Sequence, residues 1–401
     1  MLPGLAARSL WNRRDTAVLT VFAIAVSVAL LLGVQKLRTS ARESFAATIS
    51  GTDLVVGARS GSLNLLLYSV FRIGDATASV SWDTFQKVAR HRDVAWTIPL
   101  SLGDSYRGYR VLGTTADYFR HYHYGPGRTL TLAAGRPFAG DDEAVLGAAV
   151  ARALELRVGA AIVASHGLGR TSFVTHAGQP LRVVGILAPT GTPVDRTVHV
   201  GLAAIDAMHG LQPGEAGSSG LTAFLVGMKT RDTVLLMQRA LNEFGGEPLQ
   251  AVIPGVALTE LWSIVGVADR ALLLVAACVA LAGLLGMLAM LLAGLNERRR
   301  EMAILRSVGA SPRHVAGLLV LEAAILALAG VGVGIALAYV LLICARPWIA
   351  AHYGIFLPLD GLTANDALLV ASVIAAALSL SVYPAWRAYR QSLADGLTVR
   401  L

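Results

Sequence analysis

The chain has 401 residues, 55% of them apolar and only 15% charged, with a formal net charge of +8 and a positive mean hydropathy. So low a charge content excludes an ordinary soluble protein of this length and points to an integral membrane protein. The excess of positive charge does not require nucleic acid, because eleven of the 34 basic residues sit in three short polar pieces beside apolar windows.

Residues 1–15 are expected on the cytoplasmic side and are followed by a first apolar window from Thr16 to Gln35. Arg8, Arg13 and Arg14 precede this window as they would a signal peptide. Its apolar run is longer than the roughly 7–15 residues of a signal core, and no small-x-small cleavage site follows, so an uncleaved membrane helix is expected at 16–37. Three more windows have the roughly 20 apolar residues that a span needs. They lie at 271–296, at 315–345 with only Glu322 charged, and at 367–386. The tail before the first window carries three arginines, the bridge 297–314 five, the tail 387–401 three, and the connection 346–366 one. Basic loops stay in the cytoplasm during insertion. Both termini and the bridge are therefore expected on the cytoplasmic side of the membrane, with residues 38–270 outside.

That outer segment has the composition of a soluble α/β domain. Thr52–Gly57, Arg182–Leu187 and Ala223–Met228 read as buried strands. Trp82–His91 and Thr233–Phe244 read as helices that start on capping residues, and Pro189–Pro193 as a loop. Leu37–Thr48 and Thr259–Ala268 continue the flanking membrane helices outwards as a two-helix stalk. Both cysteines, Cys278 and Cys344, fall in membrane windows, so the outer domain must hold together without disulfides or a cysteine-based metal site.

Chemical motifs are mostly absent. No GxxxxGK[ST] loop exists; the only lysines are Lys36, Lys87 and Lys229, and none follows a glycine. Without HExxH or GxSxG the chain carries no known hydrolase signature, and no residue is assigned a catalytic role. Eight of the nine histidines fall outside the membrane. His121 and His123 form the closest pair and would share a face on a strand. With no acidic or cysteine ligand beside them in a tyrosine-rich stretch, a structural or solvated role is favoured over a metal site.

The bridge is the most informative stretch. It reads Arg298-x-x-Glu301-Met302-Ala303-x-Leu305-Arg306-x-x-Gly309-Ala310-Ser311-Pro312. Arg298 and Glu301 share a helical face of mixed charge. Gly309 can end one helix, and Ser311 can cap the next with Pro312 at its first position. A helix, a corner and a re-entering helix make a protrusion suited to a cleft in another protein; the bland alternative is a basic anchor on lipid headgroups.

This pattern resembles the signature after the second span of MacB/FtsX-like permeases. Leu5–Arg14 resembles that family's amphipathic leading helix, and Pro384-Ala385-Trp386-Arg387-Ala388 with Asp395-Gly396-Leu397 resembles its C-terminal exit. The resemblance implies four transmembrane helices and a large α/β domain of the MacB periplasmic core type between the first two, with an inserted lobe at about 116–204. It implies an ABC transporter of the mechanotransmission type. Two permease copies, as a homodimer, would work with two copies of a separate ABC ATPase, which would hold the ATP and magnesium; this chain would bind no cofactor itself. Coupling would fall to Arg298, Glu301, Arg306, Gly309, Ala310, Ser311 and Pro312. A periplasmic adaptor, a lipoprotein or a substrate-binding protein would be a further partner, with membrane lipid around the spans. Efflux or envelope trafficking is the leading expectation. Lipoprotein or lipid extraction, as by LolC- and LolE-like subunits, regulation of a cell-wall hydrolase, and a zinc-linked envelope system stay open.

Two further features concern the membrane helices. Glu322 lies roughly 12 Å beyond His314 along a helix, where a carboxylate is expensive and faces the bundle interior or water. It would be a contact that changes as helices move, a proton-linked site, or a passive residue at the headgroup boundary. Gly283 and Gly286, and Gly330 and Gly334, leave room for close helix packing, within the chain or between two copies.

Overall fold

The computed structural model describes residues 10–11, 13–166, 179–210, 220–297, 311–353 and 361–390. The fold divides into two compact units. One comprises residues 1–39, 267–347 and 357–401, the other residues 40–266 with 348–356.

Four helices are long and apolar enough to cross a membrane: Arg14–Ala47 (α1), a helix from Pro254 whose apolar stretch ends at Leu295, a helix from Pro312, and Ala364–Arg390. Half of the apolar window of α1 is buried, against 22%, 33% and 22% for the other three, so α1 is the central helix of its unit. Ile24, Val28 and Leu32 of α1 pack with Ala280, Leu284, Ala327, Val331 and Ala377 of the others.

The outer unit is built on one mixed sheet. Its elements run β1 (Leu54–Ala58), α2 (Ser62–Ser69), α3 (Trp82–Ala89), β2 (Val94–Tyr106), β3 (Tyr109–Thr114), α4 (Asp117–His121), β4 (His123–Tyr124), β5 (Arg128–Thr129), β6 (Leu132–Gly135), β7 (Glu143–Leu146), α5 (Ala148–Ala153), β8 (Ala161–Ile162) and β9 (Ser165–His166). They continue with β10 (Leu181–Leu187), β11 (Thr197–Gly201), α6 (Leu202–Met208), β12 (Ala223–Met228), α7 (Val234–Asn242) and β13 (Leu249–Val252). The membrane helices from Pro254 to Glu297 and from Pro312 to Tyr353 are α8 and α9, and Ala364–Arg390 is α10.

The strand order is β13-β1-β12-β2-β3-β11-β7-β10-β6, with β8 beside β10 and β9 beside β2. The long strand β2 joins the two halves of this sheet. Val94 to Leu100 pair with β12, whereas Ser101 to Tyr106 pair with β3. The stretch 116–204, expected to form an inserted lobe, supplies β4 to β11; β3 and the second half of β2 precede it in the chain. Strands β1, β7 and β12 are buried at every position, the burial their uninterrupted apolar runs require. α3 starts on Ser81, whose hydroxyl accepts the Thr84 N–H at 3.2 Å.

The sheet end at β13 is closed by side chains. Asn242 of α7 accepts the Ala251 N–H at 2.7 Å, and Gln238 donates to the Ala251 carbonyl at 3.2 Å. These are the backbone groups that another strand would use.

Candidate functional site

Of the bridge residues, Arg298, Glu301, Arg306, Gly309 and Ala310 lie outside the described residues. The return from the bridge is described. Pro312 opens α9, and His314 Nδ1 accepts from both the Ser311 hydroxyl at 2.8 Å and the Ser311 N–H at 3.3 Å. This is one half of a capping box, with histidine where glutamate usually stands. Proline in the first turn fixes φ without losing a helical hydrogen bond. The start of α9 is thus set by three adjacent sequence features.

Two turns further on, Glu322 is 4% exposed. It lines a small cleft with Leu10, Arg13, Met290, Leu291, Gly294 and Leu319. A buried carboxylate in a span points into the bundle, as its cost in lipid demands. In the sequence Arg13 is only one of three inside charges, and no spacing rule links it to a residue some three hundred positions away.

The glycines of the spans divide by what surrounds them. A Cβ on Gly330 would come within 2.6 Å of Ile24 Cγ2, and one on Gly334 within 2.8 Å of the Ala25 carbonyl oxygen and of Val28 Cβ. One on Gly283 would lie 3.0 Å from Ser27 Oγ. Ser27 donates to the Ala23 and Val279 carbonyls at 2.7 and 3.1 Å, which joins α1 to α8. Gly286 faces open space within the chain, so it does not share the close approach of Gly283.

The outer end of α1 is tied by charges that sequence reasoning did not pair. Lys36 Nζ lies 2.9 Å from Asp366 Oδ2 at the start of α10, the two side chains being 12% and 2% exposed, and it also donates to the Gly361 carbonyl at 2.9 Å. Asp366 and Thr363 bond reciprocally as a capping box. Arg38 Nε lies 3.1 Å from Asp269 Oδ2 of α8. Lys36 closes the first apolar window and Asp366 precedes the last; that placement was the one sequence signal available.

His121 and His123 do not share a strand. His121 ends α4 and stacks on Trp96 with ring centroids 5.5 Å apart, while His123 begins β4 and its Nδ1 lies 2.7 Å from the His121 carbonyl. Local helix formation from Asp117 overrides the strand alternation assumed from the sequence. His166 begins no metal cluster either: among the described residues no group of three or more histidine, cysteine or acidic side chains is placed to hold a metal. His176 lies outside the described residues. The outer domain instead uses a histidine in its core. His199 is fully buried against Tyr118, and burial, with the nearby Arg72 charge, pushes its pKa down to about 3.

A family model for the MacB-like periplasmic core domain matches residues 17–241, more than half of the chain, and one for the FtsX-like permease C-terminal region matches 273–393. The chain belongs to the MacB/FtsX-like permease family. Permeases of this family are membrane subunits of ABC transport systems. This one is a multi-pass inner-membrane protein whose large loop between the first two spans is periplasmic. The chain is similar to the periplasmic region of MacB from Actinobacillus actinomycetemcomitans, at 12% identity over 53% of this chain and 94% of that one, with a TM-score of 0.35. A domain of a putative permease protein from Porphyromonas gingivalis is similar at 10% identity over 52% and 89%, with a TM-score of 0.28. No curated protein matches the chain.

Proposed function

We propose that this permease couples ATP hydrolysis in a separate ABC ATPase to shape changes of its periplasmic domain, in the service of efflux or envelope trafficking. Two copies would dock two ATPases through the bridge 297–314. The observation that carries this reading is the length of α1 and α8. Their 34 and 44 residues correspond to roughly 51 and 66 Å at 1.5 Å per residue, against about 30 Å of hydrocarbon. Each helix can therefore cross the membrane and still enter the stalk without a break. On this reading the cargo does not pass through the spans, and the domain organisation predicted from the sequence assigns each segment its place in the stroke.

The test is reconstitution with the ATPase. The permease alone should bind no nucleotide and should alter the ATPase's turnover when complexed. Arg298→Glu and Glu301→Arg should insert normally and lose co-purification with the ATPase. Truncating one partner of a desolvated interfacial pair costs about 2–5 kcal/mol, far more than a change to a rim charge. Binding as tight as wild type at low and at high salt would leave the bridge as a lipid-facing anchor and sink the coupling assignment.

A further inference from the structure

We propose that the last turns of α10 form a binding site for anionic phospholipid headgroups of the cytoplasmic leaflet, and that lipid held there braces the two helices that carry the bridge. Over residues 381–390 this helix has two unlike faces. Ser381, Pro384, Ala385 and Ala388 are buried, the two alanines to 6% and 4% exposure. Val382, Tyr383, Trp386, Arg387, Tyr389 and Arg390 are all exposed, with Tyr383 at 52% and Trp386 at 53%. At about 3.6 residues per turn these six fall together on one side of the helix. Two large aromatic groups half open to the surroundings are out of place in water, and two arginines are out of place in hydrocarbon. Only the boundary between the two suits them all.

Helix length puts them at that boundary. Asp366, which pairs with Lys36, marks the outer end of α10. Trp386 follows it by twenty residues, roughly 30 Å at 1.5 Å per residue and so about the thickness of the hydrocarbon core. Tryptophan and tyrosine settle at headgroup depth. The guanidinium of Arg390 lies over the Trp386 ring, its central carbon 5.0 Å from the ring centre, so the charge is held close to the aromatic face. The occupant follows from charge. From Ala367 to Arg390 the helix carries no acidic residue to oppose Arg387 and Arg390. A second copy meeting this face across a two-fold axis would bring like charges together. A guanidinium fork fits a phosphate, and anionic lipid gives the inner surface a negative potential.

The buried face of the same turns gives the site its role. Ala385 and Ala388 pack in one apolar cluster with Leu295 at the end of α8 and with Val315 and Leu319 at the start of α9. These are the two helices that lead into and out of the bridge. A headgroup that fixes the outer face of α10 therefore steadies the inner face against both. Arg387 and Arg390 are lipid-binding residues, whereas Ala385 and Ala388 are positioning residues. The bracing role rests on the coupling reading proposed above; the lipid site does not.

The test uses delipidated full-length permease in a non-ionic detergent, titrated with phosphatidylglycerol or phosphatidylcholine, with bound lipid counted by native mass spectrometry. Wild type should bind phosphatidylglycerol in preference. R387Q/R390Q should weaken that binding by roughly tenfold or more, each basic residue near an anionic surface being worth about fivefold, and should leave phosphatidylcholine binding unchanged. If that variant fails to insert, wild type alone decides: its preference should fall from low to high salt, and inorganic phosphate should not displace the lipid. Equal binding of the two lipids, an intact preference in R387Q/R390Q, or a preference indifferent to salt would overturn the site. Displacement by inorganic phosphate would replace it with a free-anion site, and displacement by the ATPase would assign this face to the ATPase. For the bracing role, the complex is reconstituted in nanodiscs of phosphatidylcholine with and without phosphatidylglycerol. The anionic lipid should increase the permease's effect on ATP turnover in wild type and not in R387Q/R390Q. A lipid preference without that increase would leave the site in place and reject the bracing. No effect of the wild-type permease on turnover in either lipid would reject the coupling reading instead.

Discussion

The two units use the same residue, glycine, for opposite purposes. Every described glycine with positive φ, from Gly51 to Gly220, lies in the outer domain, most of them at turns and bends and Gly135 at the end of β6, where a Cβ would strain the backbone. In the four-helix unit no described glycine has positive φ; those at Gly283, Gly330 and Gly334 sit in ordinary helix and are needed for the side chain they lack. The difference follows from the solvent. In water, apolar burial drives the sheet together, and glycine is left to make the turns between strands. In lipid, tails are as apolar as leucine, so helices associate through close packing and a few polar contacts. One consequence is that stability in the outer domain is spread over many apolar side chains, whereas in the membrane unit it is concentrated in a few sites.

The largest expected effect tests that concentration. Lys36→Met leaves Asp366, 2% exposed, without its cation and should cost about 3–5 kcal/mol of stability, the usual range for breaking a buried pair. The measurement is thermal unfolding in detergent or nanodiscs. A loss no greater than that of Lys87→Met, whose pair with Asp83 is exposed, would mean that the outer end of α1 is held by packing alone.

A smaller effect separates two glycines that look alike in sequence. Gly330→Val drives branched carbons into Ile24 and toward the Val21 carbonyl and should cost about 1–3 kcal/mol, as overpacking does. Gly286→Val has open space and should be close to neutral in folded yield from the membrane. Equal effects would show that helix propensity, not proximity, governs these positions. A large loss at Gly286 alone would instead place that residue against a second protein chain.

The effect that is smallest near neutral pH belongs to the outer domain and grows as the pH falls. His199 is held neutral, with a folded pKa near 3 against about 6.5 for a free imidazole. Below the unfolded value the unfolded chain takes up a proton that the folded chain refuses. Stability is therefore full above about pH 6.5 and declines as the pH falls towards 3. His199→Gln should flatten that decline across the same window in acid unfolding of the full chain, and an unchanged slope would assign it to carboxylates such as Glu143. The carboxyl of Glu143 is held down to about 2 by Arg136 and by the Ala139 and Gly140 N–H groups, so its contribution is lost between about pH 4.5 and 2 and overlaps only the acid end of the His199 window.

What the sequence revealed tracks the range of the interactions. Ala223–Met228 was legible as a strand because six consecutive small and apolar residues with a turn after them admit little else, and α7 because Thr233 precedes an amphipathic run. The four spans were legible from composition. The helix start at Ser311-Pro312 was legible because its parts are neighbours. The Lys36–Asp366 pair was not, since its partners are 330 residues apart and nothing in their surroundings says that α1 meets α10 there. Gly283 and Gly286 show the same limit at short range. They are three residues apart on one helix, but only the burial of one face decides which of them meets α1. The double use of β2 was also hidden, because a thirteen-residue strand that changes partners midway has the same alternation as one that does not.

The closure of the β13 edge by Asn242 and Gln238 has a consequence for life outside the cell's folding machinery. A sheet recruits strands without limit only if both of its ends accept them, because each arrival must offer a fresh edge to the next. With the backbone of Ala251 already satisfied from within, stacking through β6 can join two molecules at most, and a ribbon cannot grow. Two amide side chains on one helix thus make the periplasmic domain self-terminating towards its own kind.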